Sequence, residues 1–104
     1  ETIEDMKKNE LIGPIVSHPG DGNFHVALLI DKKSDEELKK LDDFLIRISE
    51  RAIRMDGTCT GEHGVGQGKR KYMLKELGGA VDIMKKVKNA FDPNKIMNPG
   101  KLFL

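Results

Sequence analysis

The sequence predicts an α+β domain, an antiparallel sheet with helices packed on one face. Three observations carry that reading. Two apolar, partly β-branched runs, "IVSH" and "FHVALLI", flank the turn-forming "PGDGN". A long apolar stripe at helical spacing follows, and a second amphipathic segment runs from Ala80 to Phe91. At 104 residues the chain has length for one modest core, and it reads as a single domain, residues 1–104. Two strands alone make a marginal sheet, so further strands are expected from upstream or from a partner chain.

Taken in order, "ETIEDMKKNEL" reads as a short helix with Thr2 as N-cap, ended by Gly13-Pro14. After the hairpin, Ser34 followed three residues later by Glu37 is a capping box. Leu38, Leu41, Leu45, Ile48, Ala52 and Met55 then repeat at alternating spacings of three and four, one stripe of a long helix that Gly57 stops. Residues 57–68 form a loop with five glycines, predicted to be free to move. "KRKYMLKEL" resumes helix until Gly78-Gly79, and the Ala80–Phe91 segment stops at Asp92-Pro93 with Met84, Val87 and Phe91 as its core positions. "NPGK" is a turn before the apolar tail "LFL".

Composition removes several function classes. Charged residues make up 34% but nearly cancel, leaving a formal net charge of +1, so no field draws a nucleic acid or an acidic partner. With four Phe, one Tyr and no Trp there is no platform for stacking bases either. A single cysteine, Cys59, fits a reducing compartment, and a cytoplasmic protein is expected. Apolar runs such as "VALLI" are too short to cross a bilayer. The chain opens on "ETIEDM", and the expectation is a fragment of something longer.

All three histidines lie in the two most irregular stretches, "SHPGDGNFH" and "GTCTGEHGVGQGKRK". A turn centred on Asp21-Gly22 would place His18 opposite His25 on one face, with Cβ atoms about 5 Å apart. Two imidazoles so placed can converge on one metal ion, and they can equally form a half-buried polar pair. A third ligand could come from Glu62 or His63. Neighbours in sequence point apart in most backbones, so one could ligate while the other moves a proton.

Other motifs fade on inspection. A phosphate loop would need glycine at position 63 and Ser or Thr at position 70, where His63 and Arg70 stand. The dinucleotide fingerprint fails because Lys69 takes its last glycine's place. Cys59 has no base beside it in "TCTG" and reads as a small packed residue.

"SHPGDGNFH", "GTCTGEHGVGQGKR" and "FDPNKIMNPGK", in that order, resemble the C-terminal part of FAD-linked oxidases of the vanillyl-alcohol-oxidase superfamily. The branch is that of D-lactate dehydrogenase (cytochrome), the glycolate oxidase D subunit and D-2-hydroxyglutarate dehydrogenase. The resemblance runs from about residue 14 to the end. It implies the C-terminal cap or substrate domain of a flavoenzyme, with the FAD-binding domain upstream and absent from this chain. Such an enzyme oxidises a small D-2-hydroxy acid, D-lactate or glycolate type, to the 2-oxo acid. FAD takes the hydride, and an external electron acceptor other than nicotinamide reoxidises it. It further implies that His18, His25 and Glu62 hold a divalent metal, zinc or manganese. His63 is then the base. Asn98 and Lys101 can face the flavin or can equally serve only to form the turn. Peripheral membrane association and a homodimer are both open to the full-length enzyme, while this segment alone should be inactive. Ala27 stands where the hydroxyglutarate branch has asparagine, which weakens that substrate. The rival reading is a stand-alone small α+β metal-binding or regulatory module without redox chemistry.

Overall fold

Helices and one two-stranded antiparallel sheet make up the computed structural model, which describes residues 1–103, and the α+β reading holds. In chain order they are α1 (Thr2–Lys8), β1 (Ile15–His18), β2 (Asn23–Val26), α2 (Asp35–Arg54), α3 (Met73–Leu77) and α4 (Ala80–Phe91), with 3-10 turns at Pro19–Asp21 and Arg70–Tyr72. The chain divides into two units, Glu1–Arg51 and a second beginning at Ala52. Among the described residues no helix is long and apolar enough to cross a membrane.

In the first unit, α1 is shorter than expected. Thr2 lies inside the helix, not at its cap, and its hydroxyl accepts a hydrogen bond from Arg51. The helix closes well before Gly13. Glu10 turns left-handed (φ 55°), and the N–H groups of Leu11 and Glu10 return to the carbonyls of Met6 (2.9 Å) and Lys7 (3.3 Å). What fixes α1 is Asp5. Its carboxylate accepts from Arg47 Nε and Nη2 and from Arg51 Nη2, the last at 2.7 Å, with the acid side chain only 7% exposed. The Arg47 hydrogen bonds, working against burial and joined by Arg51, hold the Asp5 carboxyl at about 2.

The capping expectation for α2 is half met. Ser34 Oγ accepts the Glu37 N–H at 3.3 Å, but the Glu37 carboxylate reaches back to the Asp31 N–H at 2.6 Å. The inward face also differs from the expected stripe. Phe44 is fully buried, whereas Leu45 and Met55 are exposed. Arg47 and Arg51 must face Asp5, so the helix turns that side inward at the expense of Leu45.

The helix stop is where expected but works differently. Asp56, not glycine, takes the left-handed position (φ 57°), and the Gly57 N–H bonds the Ala52 carbonyl at 2.8 Å. Gly57 is there for closeness: a Cβ at that position would lie 3.1 Å from the same carbonyl oxygen.

In the second unit Cys59, Tyr72, Met73, Val81 and Asp92 are buried. Helix α4 has the expected bounds, but Val87 and Phe91 are exposed, contrary to their reading as core. The reason lies at the helix end. Asp92 accepts the N–H groups of Ile96 (2.9 Å) and Met97 (3.0 Å) and pairs with Lys88. The row Val81–Lys88–Asp92 therefore faces inward, and Ile83, Val87 and Phe91, four residues apart, lie on the outside. The Lys88 contact, opposed by burial and aided by those two N–H bonds, holds the Asp92 carboxyl below its ordinary range.

Candidate metal centre

The hairpin brings His18 and His25 together, in a register two residues away from the expected one. His18 pairs with Asn23, and His25 with Val16. Pro19 cannot donate to a ladder, so the strands stop at His18 and the chain reverses through a 3-10 turn, Pro19–Asp21, with Gly22 left-handed (φ 66°). A shift of two preserves the face, because side chains alternate with period two. His18 and His25 are thus diagonal neighbours on the same side of the sheet. Their rings meet edge to face with centroids 5.4 Å apart. A ring nitrogen of one lies within 4.8 Å of a ring nitrogen of the other. Two Zn–N bonds of about 2.1 Å at a tetrahedral angle put the nitrogens about 3.4 Å apart, a small rotamer adjustment from here. The donor set fits two ligands of a divalent ion.

The base of the hairpin is tight. The ladder continues beyond β1 and β2 through Ala27 N–H to the Pro14 carbonyl (3.1 Å) and Leu29 N–H to the Ile12 carbonyl (2.8 Å). Gly13 lies so close to the other strand that a Cβ there would be 2.1 Å from the Ala27 oxygen.

Glu62 and His63 belong to the second unit, in the glycine loop. Their side chains do not point apart as expected: His63 Nε2 and Glu62 Oε1 are 3.3 Å from each other. Both are exposed, His63 at 78% of its side chain. Gly61 and Gly64, on either side of the pair, take positive φ (49° and 75°), which lets the loop reverse around it.

Asn98 and Lys101 frame the "NPGK" turn, closed by the Lys101 N–H to the Asn98 carbonyl at 3.2 Å. Both are exposed. The turn is tied to the glycine loop: Arg70 Nη1 donates to the Gly100 carbonyl at 2.9 Å, and the Leu102 N–H to the Gly66 carbonyl at 2.8 Å. Two of the three resembling motifs therefore meet in space.

Three residues that matter here escaped the sequence reading. Arg70 stood out only as the residue that spoils a phosphate loop. Glu76 accepts the Cys59 N–H at 3.0 Å, and Lys69 Nζ bonds the Cys59 carbonyl. Nothing in local spacing signals a bond across 17 residues. Cys59 itself is as expected, buried and inert: burial, with the Glu76 hydrogen bond and charge, pushes its thiol up to about 11.

Residues 1–102 match the family described as FAD linked oxidases, C-terminal domain. A D-lactate dehydrogenase [cytochrome] 1, mitochondrial, of Saccharomyces cerevisiae is 51% identical over 99% of this chain and 17% of its own length. A probable mitochondrial D-lactate dehydrogenase of Danio rerio is 46% identical over 98% of this chain and 21% of its own. The glycolate oxidase subunit GlcD of Bacillus subtilis is 45% identical over 83% of this chain and 18% of its own. The chain spans about a fifth of the length of these relatives. Three ordered motifs, an imidazole pair on one sheet face and a family match along nearly the whole chain converge, and the chain belongs to the FAD-linked oxidase C-terminal domain family.

Proposed function

We propose that this chain is the C-terminal segment of an FAD-dependent dehydrogenase that oxidises a small D-2-hydroxy acid, of D-lactate or glycolate type, to the 2-oxo acid. The observation that carries the reading is the His18–His25 pair, held on one face of a hairpin in a chain of the FAD-linked oxidase family. Its similarity to D-lactate dehydrogenases and a glycolate oxidase subunit supports the substrate class.

His18 and His25 would each give one ring nitrogen to a zinc or manganese ion, with Glu62 as third ligand. When bound, FAD supplies the redox step and the ion supplies positive charge beside the substrate oxygens. His63 takes the proton of the substrate hydroxyl, since imidazole is the side chain suited to that transfer near neutral pH. The Glu62 carboxylate beside it compensates the charge that His63 then carries. Asn98 and Lys101 offer polar groups to the flavin from a turn anchored on the same loop. An external acceptor takes the electrons onward. The cytoplasmic placement rests on one reduced, buried cysteine, and homodimer formation and peripheral membrane association belong to the same proposal.

The test is turnover of the full-length protein with D-lactate, glycolate and D-2-hydroxyglutarate, read as reduction of an artificial dye. D-Lactate or glycolate should be the preferred substrate. A chelator should abolish the rate, and added zinc or manganese should restore it. A purified full-length protein that holds no flavin or reduces no dye with any of the three sinks the proposal.

A further inference from the structure

We propose that Glu76 and Lys69 are positioning residues for Glu62 and His63, clamping the glycine loop three residues before the pair. The inference rests on the reading of Glu62 and His63 given above, and it goes beyond that reading by adding residues that touch neither ligand nor substrate.

The loop needs such a device. Glycines stand at 57, 61, 64, 66 and 68, and those at 61, 64 and 66 take positive φ. A segment of that composition loses more conformational freedom on ordering than any other, and its two polar side chains would sample many positions. Catalytic groups lose rate steeply when displaced by as little as about 1 Å. The structure meets this at Cys59. Its side chain is buried (3% exposed), and both of its backbone polar groups are held by charged side chains, the N–H by Glu76 and the carbonyl by Lys69. A single carboxylate does several jobs, because an ionised acid accepts from several donors at once. Glu76 also takes the Thr58 hydroxyl and the Cys59 thiol; burial pushes its carboxyl upward, but these bonds and Lys69 keep it below its ordinary range. The Thr58 oxygen in turn receives the Thr60 N–H at 3.3 Å.

The support behind Glu76 is helical. It stands on α3, one turn from the buried Met73. At the other end of the loop, the Leu102 N–H and the Arg70 guanidinium hold Gly66 and the turn at Gly100. Glu62 and His63 are thus at the apex of a loop pinned on both sides, and the pin on the N-terminal side is the Glu76–Cys59–Lys69 bracket.

The experiment uses the full-length holoenzyme with Glu76→Ala, Glu76→Gln and Lys69→Met. Amide exchange is followed for residues 58–64 and, as reference, 80–91, alongside kcat, KM and manganese affinity. In Glu76→Ala the loop amides should exchange roughly tenfold or more faster with α4 unchanged, while kcat falls roughly tenfold or more and manganese binding weakens. Glu76→Gln keeps an oxygen for the Cys59 N–H and should recover most of the protection and rate. Lys69→Met, which retains the stem, should shift loop exchange and kcat in the same direction and serves if Glu76→Ala folds poorly. Loop protection and kcat both unchanged, or protection lost equally in α4, overturn the positioning role. Glu62→Ala separates the two claims. If it keeps wild-type metal and rate, the metal-site reading falls, and the clamp's link to catalysis falls with it, even where loop exchange responds to Glu76. If Glu62→Ala loses metal while Glu76→Ala leaves kcat intact, only the positioning role is lost.

Discussion

His18 and His25 face each other diagonally across the hairpin, His18 paired to Asn23 and His25 two residues farther along the same strand. The sheet pleat, not direct opposition, brings the rings to 5.4 Å. Either imidazole alone is half a chelate. His18→Ala and His25→Ala should each lower divalent-metal affinity of the full-length protein by about 10²-fold or more, measured by competitive metal titration. A variant that binds as tightly as wild type removes its histidine from the ligand set.

Glu62 and His63 touch, yet they are assigned different work. His63→Ala should lower turnover about 10²- to 10⁴-fold while metal and flavin content stay constant. Glu62→Ala should lose metal together with activity. Metal analysis beside steady-state kinetics separates the two. Equal metal loss in both variants refutes the division.

Acid should loosen the first unit through Asp5. Its carboxyl sits at about 2 when folded, below its ordinary value, so it binds protons less readily than in the unfolded chain. A depressed pKa gives stability that is fully present above the unfolded value and lost as pH falls through the folded one. The window therefore runs from about pH 4 down to pH 2, and up to about 2 kcal/mol is at stake. Asp5→Asn should melt earlier at pH 7 and show a flatter decline across that window. Parallel melting curves for both proteins would take Asp5 out of the account.

Gly13 tests the base of the hairpin. With backbone oxygen 2.1 Å from where a Cβ would stand, Gly13→Ala forces the strands apart, since no flexible side chain can yield. A cost of roughly 1–3 kcal/mol is expected by denaturant unfolding, with weakened metal binding because the histidine face moves too. Gly20→Ala, which meets nothing within 4 Å, is the control and should be near neutral.

The elements legible in the sequence were those with a local cause. The period of α4, the Ser34 cap and the two strands each follow from residues within a few positions of one another. The register was missed because Asp21-Gly22 is a strong turn signal read without its proline, and Pro19 had the decisive vote. The core row of α4 was missed because Asp92, beyond the helix, dictates which side faces inward. Five glycines announce a mobile loop, and only the fold reveals that Glu76, 17 residues from Cys59, accepts its N–H. Charged side chains spent on backbone groups leave no periodic trace. The same holds for Arg47 and Arg51, which lie off the apolar stripe and serve an acid more than 40 residues away.

The last expectation concerns residues 1–104 expressed alone. Its glycines match neither phosphate-binding fingerprint, with His63 and Arg70 in the places one requires and Lys69 in the other's. His63, exposed beside Glu62, is the group assigned to the substrate proton. Oxidising an alcohol also removes a hydride, and no side chain here accepts one; that chemistry belongs to a flavin. The isolated chain should therefore purify colourless and show no D-lactate- or glycolate-dependent dye reduction, even with FAD and manganese added. The hairpin histidines, both within the first unit, should still bind manganese or zinc weakly, because two of the proposed ligands remain. A yellow protein with tightly held flavin would mean that these residues build a flavin site by themselves. Asn98, Lys101 and the glycine loop would then be its first suspects, and the proposed division of the enzyme would have to be redrawn.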